Sequence, residues 1–336
     1  MSAADIATLW AFIIAFAVFV YVVMDGFDLG LGLLFPLFPH KADRDVIMNS
    51  VAPVWDGNET WLVLGGGGLM AAFPLAYSVL MPAIYTPVIA MLIGLIFRGV
   101  AFEFRWRAAP GHRNHWDIAF AGGSLLAALA QGVALGAVLQ GVHVEGRQYA
   151  GGWWDWLTPF SVLTGVALVI GYMLLGATWL VLKTEGELRD KAYRLSGTLV
   201  FAMLGAICAV SIATPFLHIQ YSQRWFAWPN IVLTAPVPVA VAIVTVLLLQ
   251  SLNNRQDRRP FFLSLALFFL SYAGLGISMW PYIVPQSITI WQAASPENSQ
   301  VFMLFGVVVL IPLILGYTTW AYWVFRGKVG AGGGYH

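Results

Sequence analysis

Apolar residues dominate this chain in long runs, and polar residues break the runs at intervals of about 20 positions, the length of one helical membrane crossing. The runs lie near 7–38, 57–75, 79–98, 118–140, 159–182, 196–217, 229–250, 261–284 and 300–325. They predict an all-α polytopic membrane protein of about nine transmembrane helices. Gly65 to Gly68 loosen the second run, and Pro82 and Pro87 interrupt the third, so eight crossings is the alternative. Membrane helices tolerate such residues where neighbours satisfy the freed backbone groups. Pro229, Pro236 and Pro238 are expected to bend or delay the seventh helix. The second half does not repeat the first, and the only low-complexity stretch is 330–334, so residues 1–336 read as a single transmembrane domain.

Loop charges orient the spans, because Lys and Arg concentrate in cytoplasmic connections. Fifteen of the 17 bases fall on alternate connections: Lys41 and Arg44; Arg98, Arg105, Arg107 and Arg113; Lys183, Arg189, Lys191 and Arg194; Arg255, Arg258 and Arg259; Arg326 and Lys328. Only Arg147 and Arg224 lie on the other side. The expectation is an N-terminus outside, a C-terminus inside and an odd number of crossings. The outer loops carry Trp153, Trp154, Trp156, Trp225, Trp228 and Trp291, expected as anchors at the headgroup level.

Composition narrows the function. The 336 residues are 60% hydrophobic and 10% charged, against roughly 25% charged in soluble domains. A net charge of +1 with scattered bases gives no concentrated basic face, so no nucleic-acid partner is expected. The lone Cys208 excludes a disulfide framework and a cysteine metal site. The N-terminus has no basic segment before its first apolar run, so no secretory signal is expected.

Two acidic clusters stand out against this background. Asp25 and Asp28 lie three residues apart, on one helical face, around or below the middle of the first span. Ionisable groups there cost about 2.5–3.5 kcal/mol each on insertion scales, which points to a proton or ion path or to hydrogen bonding with a neighbouring helix. Asp56 and Glu59, with Asn58 between them and Trp55 and Trp61 beside them, sit at the cytoplasmic end of the second span. They suit either a helix cap or a hydrated port leading to the deeper pair. Arg98 and Glu103 flank the inner end of the third span, where Arg98 is either a countercharge to an acid or a snorkelling surface base. Gly26 and Gly30 permit a close helix contact. No histidine falls in mid-span: His40, His112 and His115 are in inner loops, His143 and His218 at the outer side, and His336 at the end. A bis-histidine haem site between helices is therefore not expected, and no metal site.

The stretches Met24 to Gly30, Asn49 to Leu62, Phe97 to Arg105 and Trp320 to Gly327 resemble subunit II of the cytochrome bd-type quinol oxidases. The short length and the Gly-Tyr-His terminus resemble the cyanide-insensitive branch of that family. The resemblance implies two four-helix bundles plus one peripheral helix, and a heterodimer in the bacterial inner membrane. In it, a haem-bearing subunit I holds two b-type haems and haem d, oxidises ubiquinol and reduces dioxygen to water, while subunit II holds no haem. It implies that Asp25 and Asp56, with Asp28, line a hydrophilic path from the cytoplasm towards haem d. It also allows a structural quinone in subunit II and a small single-helix subunit beside lipid. Two other readings compete. A proton-coupled secondary transporter also needs intramembrane acids, but commonly shows inverted repeats. A structural scaffold would use the acids only to hold helices together.

Overall fold

The computed structural model describes residues 2–109 and 111–330, so the Gly-Tyr-His terminus, His336 and nearly all of the 330–334 stretch lie outside the described residues. Helix α1 (Ala3–Leu34) begins on a capping box in which Ser2 and Asp5 bond each other's backbone N–H. After a short 3₁₀ turn come α2 (Lys41–Asn49), α3 (Trp55–Ala72), α4 (Pro74–Ala83), α5 (Tyr85–Arg107) and α6 (Arg113–Leu139). A two-stranded hairpin, β1 (Val144–Glu145) with β2 (Gln148–Tyr149), leads to α7 (Pro159–Lys183) and α8 (Gly186–Leu217). Next follow α9 (Ile219–Phe226), α10 (Asn230–Thr234), α11 (Pro236–Asn253) and α12 (Arg259–Met279). A second hairpin, β3 (Tyr282–Val284) with β4 (Ile288–Thr289), precedes α13 (Ile290–Ala293) and α14 (Glu297–Val324).

Among the described residues, eight helical segments are long and apolar enough to cross a membrane. Helix α3 is not one of them, because its glycines and acids lower its hydropathy. It nonetheless lies antiparallel along α1. Asn58 meets Met24 and Asp28, a Cβ on Gly65 would lie 3.1 Å from Val18, and one on Gly68 would lie 3.2 Å from Ile14. The expected third span, 79–98, is corrected. Pro74 starts a separate short helix that contains Pro82, and the long helix begins only at Tyr85 and runs on to Arg107. The prolines of the seventh span act as anticipated: α10 ends at Thr234, and α11 restarts at Pro236.

Helices α1, α3, α5 and α6 pack together, α7, α8, α11 and α12 form a second group, and α6 and α1 both join the two by packing on α7. Without a hydrophobic drive between helices in lipid, close approach depends on small residues. A Cβ on Gly30 would fall 1.9 Å from the Tyr172 carbonyl oxygen, and one on Gly176 would fall 2.6 Å from the Gly30 carbonyl carbon. The Gly26/Gly30 pair therefore serves the α1–α7 contact within the chain. Beside it, Phe27 stacks on Trp179 with ring centroids 4.3 Å apart, and the Trp179 indole donates to Ser50. Helix α14 lies outside both groups, with Gln300 its one fully buried residue.

Helix α2 closes the end of the molecule that carries most bases. Buried Arg105 pairs with Asp117 (2.5 Å) and Asp45 (2.6 Å), and Arg44 pairs with the second oxygen of Asp117 (2.8 Å). The segment after α14 folds back over the same end. Val329 N–H donates to the Lys183 carbonyl, Lys183 to the carbonyls of Phe325 and Gly327, and Lys328 to Asp257. At the other end Trp153, Trp154, Trp228 and Trp291 are exposed and Trp156 is half-buried, whereas the Trp225 indole donates to Ser278.

Candidate functional site

Helix α1 brings Asp25 about 33 Å along its length, at 1.5 Å per residue, and leaves about 14 Å to its end. There the carboxylate is fully buried. Two turns inside α5, Arg98 is fully buried too, because α5 continues nine residues beyond it. This overturns the placing of Arg98 at the inner end of the third span and its reading as a snorkelling base. Its guanidinium bonds Asp25 at 2.5 Å and Glu59 of α3 at 2.7 Å, so it ties three helices together. Glu59 is 31% exposed, which leaves it the wettest member of the set. Glu103, by contrast, is exposed and among the described residues pairs only with Arg107, at 3.8 Å.

Asp28 shares the face of Asp25 but turns to different partners. Its Oδ2 accepts from Asn58 Nδ2 at 2.8 Å, and the Asn58 carbonyl accepts from the Tyr322 hydroxyl of α14 at 2.9 Å. This chain is one polar link by which the outlying α14 reaches the interior; the Trp10 indole of α1, which donates to the Gln300 carbonyl at 3.1 Å, is another. Asp56 lies on the first turn of α3, exposed, and the residue at the N-cap is Val54, with no side-chain cap bond. The capping reading of Asp56 is thereby corrected: a carboxylate in the first turn still suits the helix dipole, but it closes no cap. Trp55 stacks on Phe102 with an interplanar angle of 2°, and the Arg98 guanidinium carbon lies 5.8 Å from the Trp55 ring centre. The pair of rings walls one side of Arg98.

A third group extends the polar array away from Asp56. Tyr21, one turn before Asp25, accepts from Gln131 Nε2 at 2.6 Å, and Tyr172 donates to Gln131 Oε1 at 2.7 Å. Tyr21 lies one helical turn from Asp25, and Asp25 Oδ2 and Asp28 Oδ1 are buried without a hydrogen-bond partner among the described residues. Buried lone pairs of this kind cost free energy unless something donates to them. From Asp56 to Tyr172, charged and polar groups thus run from the surface into the packed interior.

A family model described as cytochrome bd terminal oxidase subunit II matches residues 6–325. The chain belongs to that family. It is 32% identical to the cytochrome bd-I ubiquinol oxidase subunit 2 of Escherichia coli (strain K12), over 96% of this chain and 94% of the relative. It is 26% identical to the cytochrome bd ubiquinol oxidase subunit 2 of Bacillus subtilis (strain 168), over 97% of each. Its fold matches a solved bd oxidase from Geobacillus thermodenitrificans with a TM-score of 0.75, covering 96% of this chain and 98% of that one at 17% identity. The all-α membrane architecture and the oxidase resemblance are both borne out. As a subunit II, the chain is part of an oxidoreductase complex with a partner subunit.

Among the described residues of this subunit II, no three His, Cys, Asp or Glu side chains are placed to hold a metal ion. His218, just after the last residue of α8, is engaged with the Gln140 carbonyl, while His112 and His115 lie side by side near the start of α6. Of the expected site residues, the structure assembles Asp25, Asp28, Asn58, Glu59 and Arg98 into one array walled by Trp55, and leaves Asp56 at its rim. Tyr21, Gln131, Tyr172 and Tyr322 were not singled out from sequence. Gln131 carried a signal, as an amide in the middle of an apolar run, and Tyr322 lies within the Trp320 to Gly327 stretch that carries the resemblance.

Proposed function

We propose that the chain is the haem-free subunit II of a ubiquinol:oxygen oxidoreductase, stabilises a haem-bearing subunit I in the bacterial inner membrane, and supplies a cytoplasmic proton path. The observation that carries the reading is the buried Asp25–Arg98–Glu59 bridge, with Asp28 beside it and Asp56 exposed at its mouth. Reduction of dioxygen at the partner's haem consumes four protons, and a buried site receives them only through titratable groups and water. Three carboxyl groups face one guanidinium in this array, so it can load a proton without becoming net positive. Asp56 takes protons at the surface and Glu59 passes them inward. Asp25 and Asp28, on either side of Arg98 and Asn58, hold them at depth. Arg98 keeps its own proton and fixes the geometry.

The proposed topology has nine crossings, with α3 as the ninth, the N-terminus outside and the C-terminus inside. The antiparallel register of α3 on α1 supports it, and the split of loop bases stays at fourteen to two once buried Arg98 is set aside. One feature favours the scaffold reading for Asp25, namely that its carboxylate is the buried partner of Arg98.

Asp56→Asn tests the path without disturbing packing, because Asp56 is exposed and caps nothing. The purified complex is expected to keep wild-type haem content and to consume oxygen at least about tenfold more slowly per haem. Turnover at the wild-type rate would remove Asp56 from the path.

A further inference from the structure

Tyr322 stands in the last turn of α14, the outlying helix whose one fully buried residue is Gln300. Its place is nonetheless fixed from two sides. The ring sits edge-on to Trp179, with centroids 6.2 Å apart and planes at 80°, and Trp179 is itself packed against Phe27 and Phe261. Just beyond the helix, Lys183, buried at the end of α7, donates to the carbonyls of Phe325 and Gly327, and Val329 N–H returns a bond to the Lys183 carbonyl. This latch and the ring contact hold the Tyr322 hydroxyl where it donates to Asn58 Oδ1, at 2.9 Å.

The polarity of that bond cannot reverse. Asn58 Nδ2 donates to the Met24 carbonyl at 3.3 Å and to Asp28 Oδ2 at 2.8 Å, and a carbonyl can only accept. The amide nitrogen therefore points at α1 and its oxygen at α14, so Tyr322 must donate. A bond accepted at the amide oxygen strengthens those given by the nitrogen, because linked hydrogen bonds polarise one another. Asp28 is left with Oδ2 engaged and Oδ1 buried without a partner among the described residues. Asp25 repeats the pattern: Arg98 Nη1 holds its Oδ1 at 2.5 Å, and Oδ2 is the unpartnered oxygen. An oxygen that already faces an N–H cannot point a proton at it, so a proton on Asp28 belongs on Oδ1.

We propose that Tyr322 is a positioning residue for proton transfer: by donating to Asn58 it keeps the amide N–H on Asp28 Oδ2, so that Asp28 takes up and gives up its proton only at Oδ1. The role rests on Asp28 being part of the proton path. The O–H bond at Oδ1 is the only bond made and broken, and Tyr322 keeps its own proton throughout. Without the hydroxyl, the Asn58 carbonyl loses its donor and the amide is free to turn away from Asp28. The carboxyl then holds its proton on either oxygen, and the share on Oδ2 faces Asn58, which cannot relay it.

The test uses the intact complex and sets Tyr322→Phe, which removes the hydroxyl alone, beside Asp28→Asn and Tyr272→Phe. Tyr272→Phe also removes one hydroxyl bond onto α1, at 2.9 Å to the Ala15 carbonyl, but none that reaches Asp28. Tyr322→Phe is expected to keep the wild-type haem content and the wild-type KM for quinol, and to lower turnover per haem about fivefold, the effect of one neutral hydrogen bond. Its solvent deuterium isotope effect should rise above that of wild type, because proton transfer then limits the rate, whereas Tyr272→Phe should match wild type in turnover and isotope effect. In an Asn58→Leu background, adding Tyr322→Phe should change nothing further, because the hydroxyl acts through Asn58. In redox-induced infrared difference spectra, the carboxyl band that Asp28→Asn abolishes should move to higher frequency in Tyr322→Phe, as its carbonyl loses the Asn58 donor. Wild-type turnover by Tyr322→Phe, an unmoved carboxyl band, additive losses with Asn58→Leu, or equal slowing by Tyr272→Phe overturns the positioning role. An Asp28→Asn variant that loses no band and turns over at the wild-type rate overturns instead the place of Asp28 on the proton path.

Discussion

Asp25→Asn strips Arg98 of the partner it holds at 2.5 Å and leaves a fully buried guanidinium with only Glu59, at 2.7 Å, for compensation. Two unit charges about 4 Å apart attract by roughly 4 kcal/mol at an effective dielectric constant near 20. Removing one partner of a buried pair costs about 3–5 kcal/mol, and the residual pairing with Glu59 places this case at about 3. That is a large share of the roughly 5–15 kcal/mol that holds a domain folded, so Asp25→Asn is expected to lower the thermal midpoint of the complex clearly. A fall in activity of this variant alone would thus mix lost assembly with lost proton transfer. The double variant Asp25→Asn/Arg98→Gln separates them, because it removes both charges and leaves two amides able to bond each other. If Asp25 carries protons, the double variant regains most of the stability yet stays slow in oxygen consumption per haem. If Asp25 is only a countercharge, the double variant regains both. A single variant as stable as wild type would refute the electrostatic reasoning itself.

Three further outcomes follow from the geometry. A cysteine replacing Arg224 should be labelled from outside intact cells by an impermeant reagent, and one replacing Arg258 should not; reversed labelling would sink the topology. Gly30→Ala forces a Cβ to 1.9 Å from the Tyr172 carbonyl oxygen and should cost about 1–3 kcal/mol or more, whereas Gly66→Ala, with nothing within 4 Å, should leave the thermal midpoint within error. Partial burial works to raise the Asp257 pKa, but hydrogen bonds from Lys328 and Tyr193 and the charges of Lys328 and Arg189 outweigh it, so its pKa lies below the ordinary 3.8. A depressed carboxyl pKa contributes stability that is present above the unfolded value and lost as pH falls through the folded one. Protection of the 325–329 amides, measured relative to their intrinsic exchange rate at each pH, is therefore expected to fall only below about pH 3.8, and the same loss of protection near neutral pH would contradict the Asp257 clamp.

The chain's periodicity determined that it is an all-α membrane protein, because runs of about 20 apolar residues have no stable alternative to helices in lipid. The local motifs also marked Asp25, Asp28, Asp56 and Glu59 as the place to look, since ionisable groups in such runs are costly and rarely idle. Tertiary structure decided what those residues do to one another. Arg98 read equally well as a surface base, because sequence distance to the end of an apolar run does not tell how far a helix continues beyond it. Only the extension of α5 to Arg107 buries Arg98 and sets it between two acids. Asp25 and Asp28 share a helical face, as their spacing requires, yet one turns to α5 and the other to α3, a divergence that depends on the neighbouring helices. Tyr322 lies 264 positions from the Asn58 it bonds, and Gln131 is 110 positions from Tyr21. Contacts between such distant positions leave no local pattern in the sequence, because helix packing alone brings them together.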